Sequence, residues 1–369
     1  MDFEKLARPF LKNVQPYKAG KPIEAAQRER RTKEGFIKLA SNENPYPPQE
    51  DIQKAVIDML SQVNRYPESG SFELVMELAK KHSVSPEEVF VGNGSNEIID
   101  LLVRAFAFPD ENLVYPWPSF VVYRLVSTIC GLESTEVPCM DNKVDLDGIR
   151  WAVNDKTKLV FICNPNNPTS TYVTRQEFSD FLESLPEEIL VVMDEAYYEY
   201  VTAEDYPQTL EMRKNRSSLV TLRTFSKVHS LAGIRIGYAV ADPQVVEILH
   251  KVRQPFNVNR LAQAAALAAL KCQKEIQPIV DQTIKERESL RKAILKIGWE
   301  CPPSQTNFLY IIPKGFSGDV CEPLLEKGII ARNMAQFGGE ADSFRLTVGT
   351  PEENRKFLEA LDAVLAARS

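Results

Sequence analysis

Between residues 85 and 240 the chain alternates short, almost unbroken apolar runs with amphipathic stretches, and no other feature restricts its fold as much. The runs are EVFVG, NLVYP, KLVFICNP, ILVVMDEAY, SLVTLRTFS and RIGYAV. Strands rich in Val, Ile and Leu and separated by helical segments belong in a largely parallel sheet covered on both faces. Ligands of such sheets sit beyond the carboxyl ends of the strands. Polar clusters stand at those places, after VFVG, VFIC, LVVM and LVTLR.

The flanking segments have a different texture. Residues 1–35 hold a mixed helical stretch around Pro22 to Arg31, preceded by the dipeptide Gln15-Pro16, and read as an arm. A proline-rich loop, SNENPYPP, leads into DIQKAVIDMLSQV, where Ile52, Val56, Met59 and Leu60 follow the helical period. RLAQAAALAALKCQ and DQTIKERESLRKAILKIG are expected to be helices. NFLYIIP, GIIARN and FRLTVG are expected strands, and PEENRKFLEALDAVLAAR a closing helix. A chain of 369 residues is long for one core. The expected division is therefore an N-terminal arm joining the small domain (1–45), a large α/β domain (46–280) and a small α+β domain (281–369).

Composition removes several functions. With a formal charge of -7 there is no basic field for nucleic acid or anionic lipid, so any anionic ligand must meet a local cluster of donors. Six scattered cysteines without a CxxC pair, and only three histidines, argue against a zinc site or a disulfide scaffold. Reduced cysteines in a cytoplasmic protein are expected. The first residues, MDFEKLARPFLKNV, lack a signal-peptide core, and no run approaches the roughly 20 apolar residues of a membrane helix.

Four segments carry chemistry. In TFSKVHSLAGIRIGY, Lys227 is followed eight positions later by Arg235 across a Gly-containing turn. Its amine can form an imine with an aldehyde, while Thr224, Ser226 and Arg235 can bind a phosphate dianion. A surface lysine beside an unrelated arginine is the plain alternative. In VFVGNGSNEIIDLL, a strand runs through Gly92 and Gly94 to Ser95, Asn96 and an apolar helix, which aims backbone N–H groups at an anion. N-capping by Ser95 or Asn96 explains it equally well.

In VVMDEAYYEY an acidic pair follows a strand that otherwise looks buried, and a buried carboxylate needs a partner. A protonated ring nitrogen next to Asp194 would be one; an Arg or Lys elsewhere would be another. The Asn-Pro run NPNNPTS, residues 164–170, can donate to a ring oxygen or simply turn the chain.

These segments, in this order and together with PYKAGKPIE, NRYPE, PSFVVY, QPFNVNRLAQAA, TNFLY, GIIARN and FRLTVGT, resemble fold-type I aminotransferases dependent on pyridoxal 5'-phosphate (PLP), and among them the histidinol-phosphate aminotransferase family. The resemblance covers nearly the whole chain. It implies that Lys227 forms the imine with PLP and then moves the proton between Cα and the cofactor. It also implies that Asp194 pairs with the pyridine nitrogen, that Tyr197 and Asn167 bond the phenolic oxygen, and that Phe120 stacks on the ring.

The same resemblance gives the phosphate to Ser95, Asn96, Thr224, Ser226 and Arg235, and has Tyr66 reach the neighbouring subunit's cofactor in a homodimer with shared sites. Arg345 becomes the main substrate anion site, with Arg332, Tyr17 and Asn307 nearby. A second cation at Arg332 suits a dianion, which favours histidinol phosphate as donor and 2-oxoglutarate as acceptor in a ping-pong reaction of histidine biosynthesis. Competing readings are an aromatic-amino-acid aminotransferase, a phosphothreonine-type decarboxylase and, in another class, a non-catalytic PLP-binding sensor. The last needs a fused DNA-binding domain, and the N-terminal arm is too short for one.

Two departures from the family pattern stand out. Ser170 occupies the place of a glycine in the NPTG turn, where a positive φ is expected. His229 falls in VHSLAG where small and aromatic residues are usual, and is expected to lie on a helix surface.

Overall fold

The computed structural model describes residues 1–14, 16–17, 20–30 and 35–367. Gln15 of the Gln15-Pro16 pair and Arg31, the expected end of the first helix, lie outside them; that helix runs over Ile23–Arg30.

Twelve strands are present among the described residues: β1 (Ile37–Lys38), β2 (Val89–Gly92), β3 (Asn112–Trp117), β4 (Glu133–Pro138), β5 (Thr157–Cys163), β6 (Leu190–Asp194), β7 (Leu219–Thr224), β8 (Gly237–Val240), β9 (Phe308–Ile311), β10 (Ile329–Ile330), β11 (Arg332–Asn333) and β12 (Phe344–Thr347). Seven of them form one sheet in the order β2-β8-β7-β6-β5-β3-β4. Only β8 runs against its neighbours, so β2, β5, β6 and β7 end on the same edge. All six apolar runs expected as strands are there. The seventh strand, β4, was not expected: ESTEVP is polar and mostly accessible, because an edge strand buries little.

Side-chain alternation along the strands loads both faces. In β5, Leu159, Phe161 and Cys163 enter one core with residues of the helices Ser95–Phe106, Val122–Cys130 and Pro243–Val252, while Val160 and Ile162 enter another beneath the helix Arg175–Ser184. The Ala-rich helix Arg260–Lys271 packs closely on the helices at Glu50–Met59 and Phe72–His82, its small side chains Ala262, Ala265, Ala266 and Ala269 all buried.

A second, antiparallel sheet has the order β11-β12-β9, and β1 from the N-terminal segment pairs in parallel with β10. The helix Gln273–Lys296 joins the two regions: Ile276 and Val280 pack with the Ala-rich helix, Leu290 and Ile294 with Trp299, Leu309 and Leu346. It begins eight residues before the charged run that announced it and includes Pro278. The closing helix, Pro351–Ala366, is capped by Thr350 and Glu353 in a reciprocal capping box. No helix among the described residues is long and apolar enough to cross a membrane.

Candidate active site

A pocket opens at the carboxyl ends of β2, β5, β6 and β7 and is closed from the other side by residues of β11 and β12. Lys227 lies in it, on the loop that follows β7, with its Nζ donating to the Ser41 carbonyl at 3.5 Å and sitting 5.6 Å from the Tyr197 ring centre. Burial, then the nearby Arg345 and Arg235, push its pKa down to about 8, against the pull of Glu43 and Asp194.

Period-two alternation separates the acidic pair at the end of β6. Asp194 shares the face of Leu190 and Val192 and enters the pocket. Glu195 turns to the opposite side, where Arg223 Nη2 lies 2.8 Å away and Thr209 donates to it at 2.7 Å. The arginine partner that a buried carboxylate demands is therefore given to Glu195. Asp194 receives one side-chain bond, 3.0 Å from the Tyr123 hydroxyl to Oδ2; the Ala196 N–H also faces the carboxylate, and Oδ1 is buried with no hydrogen-bond partner among the described residues. Burial pushes its pKa up to about 6, opposed by Tyr123 and the Ala196 N–H.

At one end of the pocket, Ser95 and Asn96 open the helix Ser95–Phe106 behind Gly94, which has φ +82°. A Cβ on Gly94 would run into the Arg235 guanidinium, so glycine is what lets that cation lie against the helix start. Arg235 donates to the Ala232 carbonyl at 3.0 Å and to Ser226 Oγ at 3.4 Å, and Thr224 Oγ1 donates to Ser226 Oγ at 2.9 Å. Two hydroxyls, a guanidinium and a helix N-terminus thus converge, which makes an anion site.

Towards the other end, Arg345 donates to the Asn167 side-chain oxygen and, at 2.8 Å, to the Ala40 carbonyl; its Nε is buried with no partner among the described residues. Asn167 is left with its amide N–H groups to offer. Arg332 lies 4.5 Å from the Phe337 ring centre, and Phe120 and Tyr17 complete this end. Tyr197 accepts a 2.9 Å bond from Asn42 Nδ2.

Two residues expected at the site do not line it. Asn307 is buried behind the pocket, where its amide holds the Asn42 carbonyl at 3.1 Å. Tyr66 is 78% exposed and stacks on Phe256 with ring centres 4.7 Å apart. His229 corrects an expectation: it is neither helical nor at the surface. The loop folds it inward against Phe225, ring centres 5.0 Å apart, and burial pushes its pKa down to about 3. Ser170 has φ +64°, the conformation that the missing glycine would favour. Ser41 and Asn42, on the lining, and Tyr123, behind it, stand in the segments SNENPYPP and PSFVVY, but nothing local assigns them a role, because their contacts are distant in sequence.

The chain matches the family described as aminotransferase class I and II over residues 34–361. It is 43% identical to the histidinol-phosphate aminotransferase of Halalkalibacterium halodurans over 97% of both chains, and 42% identical to that of Bacillus subtilis over 97% of this chain and 99% of the other.

The chain belongs to the class I and II aminotransferases.

This aminotransferase also shares its fold with the crystal structure of the Sinorhizobium meliloti histidinol-phosphate aminotransferase in complex with pyridoxal-5'-phosphate (TM-score 0.87, 24% identity, 98% of each chain) and with a Thermus thermophilus aspartate aminotransferase (TM-score 0.83, 24% identity, 97% of this chain and 99% of the other). It is a PLP-dependent enzyme that acts on an amino donor and a 2-oxo acid. The pocket fits that cofactor. An unpartnered buried carboxylate oxygen suits a protonated ring nitrogen, the anion site suits a phosphate, and an amine with its pKa lowered to about 8 stands on the same lining.

Proposed function

We propose that this aminotransferase carries the amino group of histidinol phosphate to 2-oxoglutarate in two half-reactions, with Lys227 attaching PLP and Arg345 and Arg332 taking the donor's phosphate. The observation that carries the donor assignment is the pairing of those two arginines. They are direct partners across the antiparallel strands β11 and β12, and both line the pocket. Like charges directly opposite one another are unfavourable, and a dianion placed between them offsets that cost. The full-length relatives carrying the histidinol-phosphate name favour the same reading.

When bound, PLP supplies an aldehyde carbon and a protonated ring that takes up the electron pair left on a donor's Cα. The remaining work falls to the chain. Asp194 Oδ1 would hold the ring's N–H, Tyr197 and the Asn167 amide its phenolic oxygen, and Phe120 its face. Ser95, Asn96, Thr224, Ser226 and Arg235 would hold its phosphate. Lys227 Nζ, largely deprived of water, is the base available for the Cα proton.

We infer further that two copies associate. Ile57, Leu60, Val63, Phe72 and Met76 leave apolar surface exposed on the segment that carries Tyr66, and a side chain 78% exposed outside its own pocket suits a role in a neighbour's site. Two domains joined by the helix Gln273–Lys296 are favoured by the separate apolar clusters around the two sheets. Six unpaired cysteines suit the cytoplasm.

The assignment is tested by mixing purified holoenzyme with histidinol phosphate and 2-oxoglutarate and measuring glutamate. Glutamate formation that is several-fold more efficient with phenylalanine as donor would contradict it.

A further inference from the structure

Tyr123 is among the most deeply buried polar side chains in the protein, and nothing in the reaction as described uses it. It belongs to the helix Val122–Cys130 and is completely inaccessible. Its ring stacks on Phe161 of β5, centres 4.8 Å apart and planes 16° from parallel, which fixes its orientation from below. Its edge meets Phe120 at 5.7 Å and 87°. Its hydroxyl donates to Asp194 Oδ2 at 3.0 Å.

One side chain therefore touches both groups between which the cofactor's ring is to be held. A carboxylate can rotate about its last bond and present either oxygen. The Tyr123 bond ties Oδ2 to the helix and leaves Oδ1 as the oxygen without a partner. We propose that Tyr123 is a positioning residue, which aims Asp194 Oδ1 at the ring nitrogen and backs Phe120 against the ring face. The proposal rests on the assignment of Asp194 to the PLP ring nitrogen.

The chemistry of the hydroxyl is suited to this. Burial and the neighbouring Asp194 push the phenol's pKa well above 10, so the group stays a donor at any working pH. A neutral donor on a buried carboxylate stabilises its ionised form, the form that can pair with a protonated ring. The other ionisable groups facing Asp194 are Lys227 on the loop after β7, Cys163 at the end of β5, Glu195 beside it and Tyr197 beyond. Of these groups, Tyr123 is the one that hydrogen-bonds it.

The test is Tyr123→Phe, which keeps the ring contacts and removes only the hydroxyl, made alone and in an Asp194→Asn background. For the single variant the expected outcome is a rise of about tenfold in the PLP dissociation constant and a fall of about tenfold in kcat, as for loss of a bond to a charged group, with donor KM nearly unchanged. The pH midpoint of the bound cofactor's visible absorption change should move upward, because Asp194 without its donor binds a proton more readily. In the Asp194→Asn background the same substitution should change PLP affinity by less than about twofold.

Wild-type affinity and an unmoved midpoint in the single variant would overturn the proposal. So would an equal tenfold loss in both backgrounds, which would mean that Tyr123 acts on packing alone. If Asp194→Asn by itself leaves PLP affinity and turnover intact, it is the assignment of Asp194 that fails. A melting temperature for each cofactor-free variant within a few degrees of wild type shows that folding is not what is measured.

Discussion

Arg332 and Arg345 face one another across β11 and β12, two guanidinium groups on adjacent antiparallel strands at the mouth of one pocket. The pKa of Arg345 is lowered by burial and by Arg332, against the pull of Tyr197 and Tyr17. A ligand with two negative charges suits two cations placed side by side.

The first consequence concerns donor choice. Replacing Arg332 by alanine should lower kcat/KM for histidinol phosphate by about a hundredfold, the worth of charge-assisted bonds to a phosphate, and for phenylalanine by less than about threefold. Steady-state kinetics with both donors decide it. Equal losses would remove the phosphate-binding role.

Lys227 makes a prediction about pH. An amine must be uncharged to attack an aldehyde. With a pKa lowered to about 8, roughly a tenth of the amine is free at pH 7, against well under a thousandth for an ordinary lysine. PLP capture by cofactor-free enzyme should thus accelerate about tenfold per unit as pH rises towards 8 and level off above it. Stopped-flow absorbance gives the profile, and a rate still climbing at pH 10 would show that burial does not lower this pKa.

Much of this pocket is legible in the sequence, because the apolar strands are short and a polar cluster follows several of them directly. Asp194 ends such a strand, Lys227 and Ser95 stand just after one, Arg235 follows Lys227 across a turn, and their roles come from the family resemblance. The contacts that aim these groups are not legible there. Tyr123 reaches Asp194 across 71 positions and Asn42 reaches Tyr197 across 155, and neither leaves a local pattern. β4 was hidden for the opposite reason, since an exposed edge strand has no apolar run to betray it. His229 was misplaced because the residues after Lys227 form an irregular loop rather than a helix, and only the fold shows that the loop turns inward.

Ser170 offers a stability test. It holds φ +64° with a hydroxyl buried and without a partner among the described residues, while its backbone is bound on both sides, to the Asn166 carbonyl at 2.8 Å and the Gln305 N–H at 3.0 Å. Glycine there removes the left-handed strain and the unsatisfied hydroxyl but gains freedom in the unfolded chain. The net expectation for Ser170→Gly is a gain of about 1 kcal/mol, read as a rise of roughly 1–2 °C in melting temperature. A fall would show that the serine is held by something other than its own backbone.

Tyr66 tests the shared site. Tyr66→Phe keeps the stack on Phe256 and removes only the hydroxyl. If that hydroxyl reaches a neighbour's cofactor, PLP should dissociate about ten times faster, with no change in subunit association by sedimentation. Unaltered retention would leave Tyr66 as a surface contact only.

The central claim is that Lys227 presents PLP to a phosphorylated amino donor. It is tested most directly by single turnover without acceptor, following the visible band of the Lys227-bound cofactor after mixing with histidinol phosphate or with phenylalanine. The account expects the band to bleach at least ten times more efficiently, per unit concentration, with histidinol phosphate, and expects Lys227→Ala enzyme to show no such band. Equal bleaching by the two donors, or turnover by Lys227→Ala at the wild-type rate, would contradict it.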